Sequence, residues 1–235
     1  MSRDATYDFF AGEILLIDKP KHWTSFDVVN KIRYTLKHHF GRKIKVGHGG
    51  TLDPLATGLV VIATGKATKQ LMSITGADKS YKAVIGLGAT TPSYDLETPL
   101  TAGPSPDHLT TPMLEEGMGA FRGDILQRPP LFSAIKKEGK PLYKAARKGE
   151  AVEVEPRPVT IHQFQLDKWE APYLYATIHC SKGTYIRSLA HDLGQALGVG
   201  GYLHDLQRTA SGHFQLSDAK TIDNWVALIE QQPVP

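Results

Sequence analysis

The stretch "GHGGTLDPLATG", Gly47 to Gly58, decides how this chain of 235 residues is read. Its single acid, Asp53, stands between Leu52 and Pro54 in a run rich in glycine. An aspartate in a turn commonly caps its own backbone, so an Asx turn is one reading. The neighbours support another. Gly49 and Gly50 let the main chain approach a ligand closely, and Pro54 stiffens the segment behind the carboxylate. A carboxylate presented in this way can act as nucleophile or general base if the fold keeps its site dry and polar-lined.

Upstream of this loop, "EILLIDKP" (Glu13 to Pro20) has the pattern of a strand stopped by its proline. Thr24 and Asp27 have capping-box spacing, and Val28, Val29, Ile32, Leu36 and Phe40 form the apolar stripe of the helix that follows. After the glycine-rich loop, "GLVVIATG" reads as a buried strand and "KATKQLMSIT" as a helix. Tyr81, Ala83, Ile85 and Leu87 alternate, as in a half-buried strand. Ala89 to Asp107 carries four prolines and reads as a loop. Thr111-Pro112 has the form of a helix start capped by Thr111. "PRPVTIHQFQL" and "PYLYATIHCS" read as strands, and a helical period begins at Tyr185. "YLHDLQRTASGHF" reads as extended, and Ile222, Trp225, Val226 and Ile229 mark a last helix. Strands and helices interleave without βαβ regularity, which predicts an α+β fold with a mainly antiparallel sheet.

The chain is 41% hydrophobic, enough for a sizeable core, and its net charge is only +3. The distribution of charge says more than its sum. Lys31, Arg33, Lys37, Arg42, Lys43 and Lys45 form a run without an acid. Lys136, Lys137, Lys140, Lys144, Arg147 and Lys148 form a second, broken only by Glu138. Each run alone is compatible with a solvated face; the pair favours a polyanionic partner bound through phosphate contacts. No stretch has the length of a membrane span, and the N-terminus lacks the apolar core of a signal peptide. The lone Cys180 excludes an internal disulfide and a cysteine-based zinc cluster. We therefore expect a soluble, cytoplasmic protein.

Several chemistries fail on their own spacing rules. "ATGKAT" lacks the glycine spacing and the Ser or Thr of a P-loop. The ten histidines form no H-E-x-x-H, and no G-x-S-x-G is present. Asp53 remains, with two further candidates. Arg187, in "HCSKGTYIRSLAHDLG", stands at a helix start, where it can pair with a buried carboxylate, contact phosphate, or simply lie on the surface. Tyr81, between Lys79 and Lys82, suits base stacking or ordinary core packing.

The stretches "LLIDKP", "GHGGTLDPLATG", "KSYKAVIGLG", "FRGDILQRPPLFSAIK" and "HCSKGTYIRSLAHDLG" together resemble the TruB-type pseudouridine synthases in order and spacing, from Glu13 to Phe214. The resemblance implies the pseudouridine synthase fold: α+β, with a mainly antiparallel mixed sheet flanked by helices. It also implies one catalytic domain over 1–235 and a basic RNA-binding insertion over 128–158; many bacterial members continue into a PUA-type RNA-binding domain, and as a departure from that pattern no C-terminal PUA domain is expected here. The implied reaction converts a uridine in the T loop of transfer RNA (position 55) to pseudouridine, with base flipping, no cofactor and no metal. The implied partner is the T-arm of transfer RNA, with no membrane or protein partner. Asp53 matches the catalytic aspartate, Arg187 the arginine that pairs with it, and Tyr81 the aromatic that stacks on the target base. His48 matches the histidine that accommodates the flipped nucleotide. Tyr185 and Leu206 match lining residues of the base pocket, and Lys19, Pro20 and Gly50 match the support of the catalytic loop. Two departures stand out: Gly49 replaces a common threonine, which should loosen the loop beside His48, and Phe132 replaces a frequent tyrosine. The cation-rich insertion, poor in apolar surface, is expected to order only on RNA. A noncatalytic RNA-folding module and a synthase acting on another RNA are the alternative readings.

Overall fold

Pro20 and the glycines of the quoted loop set where the first strands stop and turn. The structure, a computed structural model, describes residues 6–133 and 154–234 and the backbone of two short strands between them. The chain forms two units, Met1–Ser80 with Gln207–Pro235, and Tyr81–Leu206.

In the first unit, β1 (Ile14–Lys19) leads into α1 (Ser25–Phe40), then β2 (Val46–His48) and β3 (Thr57–Thr64). A 3-10 segment, Gly65–Gln70, and the short α2 (Leu71–Gly76) follow. β4 (Lys79–Leu87) begins here and runs into the second unit. The second unit holds β5 (Ala89–Thr90), β6 (Thr101–Ala102), α3 (Thr111–Gly119), β7 (Gly123–Gln127), β8 (Lys136–Lys137) and β9 (Lys140–Pro141). It continues with β10 (Arg157–Glu170), β11 (Tyr173–Cys180), α4 (Ile186–Ala196) and most of β12 (Gly201–Ser211). The chain then returns to the first unit for β13 (Phe214–Gln215), β14 (Lys220–Thr221) and α5 (Ile222–Glu230).

The first unit's strand order is β14-β1-β3-β12, with β2 also on β3 and β13 on β12. β1 pairs antiparallel with β3 from Ile14↔Ala63 to Lys19↔Gly58, while β3 meets β12 in parallel at Gln207↔Thr57 and Arg208↔Gly58. β1 and β14 are also parallel. In the second unit the order runs β4-β11-β10-β7, with the β7, β10 and β11 pairs antiparallel. The sheet pairing is thus mixed and mainly antiparallel, as the residue pattern predicts.

The α1 capping box forms as its spacing predicts: Asp27 N–H donates to Thr24 Oγ1 at 3.0 Å and Thr24 N–H to Asp27 Oδ2 at 2.9 Å. Gly41, in the left-handed region at φ 69°, ends the helix. Val28, Val29, Ile32 and Leu36 are buried; so are Trp225 and Ile229 of α5, and Trp225 Nε1 donates to Leu16 O at 2.8 Å. In the second unit Ile85, Leu114, Met118, Phe164, Leu174, Ile178, Leu189 and Leu193 are buried.

Three expectations change. "KATKQLMSIT" is a 3-10 segment and then a six-residue helix, not one helix. Gly65 enters this segment in the left-handed region, at φ +48°, outside the right-handed helical conformation, and a Cβ there would lie 2.3 Å from Phe10 O. Ala89–Asp107 is not all loop: β5 and β6 pair within it. α3 starts one residue early, with Thr110 at the N-cap and Pro112 inside the first turn, where its fixed φ fits. Most of the basic insertion, residues 134–153 apart from the β8–β9 pairing of Lys136↔Pro141 and Lys137↔Lys140, lies outside the described residues, and with it the expectation of ordering on RNA.

Candidate active site

Asp53 sits half-buried between β2 and β3, in a loop tied down along its length. Gly49 N–H donates to Val61 O at 2.8 Å. Leu52 N–H donates to Ser25 Oγ at 2.8 Å, and Ser25 Oγ in turn donates to Leu52 O at 3.2 Å. His22 N–H donates to Pro54 O, and Ala56 N–H closes the turn on Asp53 O. The buried Lys19 donates from Nζ to Trp23 O at 2.7 Å, Pro20 O at 3.0 Å and Pro54 O at 3.5 Å. Burial pulls its ammonium down to about 8; the negative charge of Asp53 opposes this and the positive charge of Arg208 adds to it. Thus Lys19, Pro20, Gly50 and Asp53 come together in the first unit.

His48 ends β2, half-buried, and burial holds its imidazole below the usual range; a hydrogen bond with the Gly50 backbone opposes the shift and Arg208 adds to it. Gly47 and Gly49 flank it at strand spacing and project to one side. A Cβ at Gly47 would lie 2.7 Å from Leu71 Cδ1, and one at Gly49 would lie 2.4 Å from Ile74 Cγ2. The loop beside His48 is therefore filled by α2 rather than loosened by Gly49.

In the second unit Tyr185 is the N-cap of α4 and Arg187 lies in its first turn. Tyr185 N–H donates to Gln127 Oε1 at 2.8 Å, and Gln127 Nε2 donates to Tyr185 O at 3.1 Å. Arg187 is only 4% exposed, so the surface reading is corrected. Its Nη1 donates to Phe132 O at 3.0 Å and Ser93 O at 3.3 Å, and its Nε lies 3.7 Å from Asp95 Oδ2. A cation this buried needs such partners. Phe132 thus serves Arg187 through its carbonyl. Tyr81 and Leu206 are buried on neighbouring strands, β4 and β12. Lys79 is not a surface cation beside Tyr81: its Nζ donates to Thr75 O and Ala77 O, closing the end of α2.

Sequence reading missed Ser25, Asp95 and Arg208. Ser25 was hidden inside a capping motif, and Asp95 inside a stretch read as loop. Arg208 carries the one usable signal: Leu206, Arg208 and Ala210 alternate on the buried side of β12, so a cation occupies an apolar register.

This architecture is that of the pseudouridine synthases. A solved Cbf5–Nop10–Gar1 complex matches with a TM-score of 0.71 and 30% identity, over 93% of this chain and 54% of that one. An H/ACA RNP bound to a substrate RNA matches with a TM-score of 0.68 and 27% identity, over 93% of this chain and 53% of that one. The chain thus spans about half the length of these solved proteins. Residues 37–186 match the N-terminal domain of TruB family pseudouridylate synthase, and residues 187–232 match the C-terminal domain of tRNA pseudouridylate synthase B. The chain belongs to the TruB family. A tRNA pseudouridine synthase B from Chlorobium luteolum is 50% identical, over 95% of this chain and 80% of its own. Those from Flavobacterium johnsoniae and Phocaeicola vulgatus are 47% and 46% identical, over 90% and 97% of this chain and 93% and 97% of theirs.

Proposed function

We propose that this protein isomerises a uridine in the T loop of transfer RNA to pseudouridine, with Asp53 as the nucleophile and the whole chain serving as one catalytic domain. The observation that carries this reading is the presentation of Asp53: a half-buried carboxylate in a loop tied to Ser25, His22 and Lys19. Family membership supports the reaction class. A base inside a folded T loop has to be flipped out before its glycosidic bond can be attacked. Asp53 then engages either C6 of the base or C1′ of the sugar. By either route the C1′–N1 bond breaks, the uracil turns, and C1′ bonds to C5. The C5 proton leaves and N1 gains one, so the product is an isomer and no co-reactant is consumed.

The other roles are those that the family resemblance implies. Arg187 supplies fixed positive charge for the carboxylate chemistry. Tyr81 stacks on the uracil and assists loss of the C5 proton. Tyr185 and Leu206 line the base pocket, and His48, neutral because burial disfavours its cation, accommodates the displaced nucleotide without adding charge. Lys19, Pro20 and Gly50 support the loop. A water-excluding site keeps the detached uracil captive and favours recombination over hydrolysis. No helix among the described residues is long and apolar enough to cross a membrane; we place the protein in the cytoplasm, where transfer RNA is modified.

Asp53→Asn keeps the shape and removes the charge. Single-turnover pseudouridine formation should fall to background while tRNA binding stays close to wild type. Turnover near the wild-type rate would remove Asp53 from the nucleophile's role.

A further inference from the structure

Arg208 is 2% exposed, and among the described residues its side-chain hydrogen bonds go to backbone carbonyls. Nε donates to Leu59 O at 2.7 Å, and the two terminal nitrogens donate to Thr51 O and Gly50 O at 3.2 Å each. Its main chain takes part as well. Arg208 pairs with Gly58, where φ is +98° and a Cβ would lie 2.4 Å from Arg208 O. Gly50 and Thr51 stand before Asp53; Gly58 and Leu59 stand after it. One residue therefore grips both ends of the segment that carries Asp53.

The residue type matters. A guanidinium offers five donors in a rigid planar fork, so it can hold carbonyls from two strands of chain at once. An ammonium is a compact point donor and cannot span them in the same geometry. Its acceptors are neutral carbonyls, and its positive charge adds to the lowering of both Lys19 and His48 that burial begins.

We propose that Arg208 is a positioning residue: it clasps the neck of the loop and fixes the Asp53 carboxylate before RNA arrives. This rests on the reading of Asp53 as nucleophile, but it is tested separately from that reading. Arg208→Lys keeps the charge and loses the fork; Arg208→Met loses both. Misplacing a reacting group by about 1 Å can cost on the order of a hundredfold in rate. Arg208→Lys should therefore lower the single-turnover rate by about that factor while tRNA Kd changes less than about threefold. The amides of Leu52, Asp53, Leu55 and Ala56 should exchange faster with solvent, and amides of α5 should not. In Arg208→Ala, millimolar guanidinium should restore part of the rate.

A folded Arg208→Lys protein with a wild-type rate would overturn the proposal. So would a loss confined to tRNA affinity, which would make Arg208 a substrate contact. So would unfolding of the Lys, Met and Ala variants together, which would make it a fold residue. If instead Asp53→Asn turned over normally while Arg208→Lys did not, the nucleophile assignment would fail and the clasp would stand for another group of the loop.

Discussion

At the scale of the residue, Lys19 concentrates the conflict in this site. Its ammonium is buried and donates to carbonyls of the β1–α1 connection and of the Asp53 loop, and burial lowers its pKa from 10.5 to about 8. Between those two values the folded protein binds fewer protons than the unfolded chain. Stability contributed through Lys19 must therefore rise as pH increases from about 8 to 10.5. Below about 8 the buried charge weighs against folding in full. The difference in unfolding free energy between wild type and Lys19→Met should shift in favour of wild type across that window. Urea denaturation at several pH values measures it, and a pH-independent difference would mean that Lys19 stays charged throughout. The buried Arg187–Asp95 pair makes a related point: a charged side chain inside a protein persists only where its partners are built around it.

At the scale of the element, α2 explains why glycine stands at position 49. Gly47 and Gly49 are not glycine for the sake of a turn; they are glycine because Leu71 and Ile74 occupy the space their side chains would need. Ile74 also belongs to a buried cluster with Leu59 and Val61 of β3. Gly49→Thr should therefore overpack this region and cost about 1–3 kcal/mol in stability. Adding Ile74→Ala should recover part of both the stability and the activity that the single variant loses. Thermal melting and single-turnover rates on the two singles and the double variant give the coupling. Strict additivity would show that Gly49 and Ile74 do not meet.

At the scale of the whole molecule, the basic run of α1 and the chain after it divides into two sets. Arg33 donates to Val46 O and Asn30 Oδ1, and the guanidinium of Arg42 lies 3.8 Å from the centre of the Phe10 ring. These two cations serve the fold. Lys31, Lys37, Lys43 and Lys45 are exposed. Replacing Lys31 and Lys37 with alanine should reduce the slope of log Kd against log salt by about 0.7 to 0.9 for each phosphate no longer neutralised. Arg33→Ala should instead lower the melting temperature and leave the slope nearly unchanged. Filter binding over a salt series separates the two, and an unchanged slope in the lysine double variant would remove this face from the RNA footprint.

Elements whose information is local are legible in the residues alone. β1 ends at Pro20, α1 begins at its capping box, β4 alternates from Tyr81, and Asp53 is marked by the glycines around it. Each of these rests on backbone sterics and side-chain period over a few residues, so a single stretch suffices to read it. Tertiary structure decided what depends on contacts between distant stretches. That Arg187 is buried against Ser93 and Asp95, that Ser25 ties down Leu52, and that Arg208 reaches Gly50 from 158 residues away all depend on strand order and register. A buried cation is energetically tolerable only with its partners present, and those partners are supplied by other parts of the chain. For that reason the carboxylate and, through the family resemblance, Lys19, Pro20 and Gly50 were legible in the sequence, while the ties that Ser25 and Arg208 make to the loop appear only in the fold.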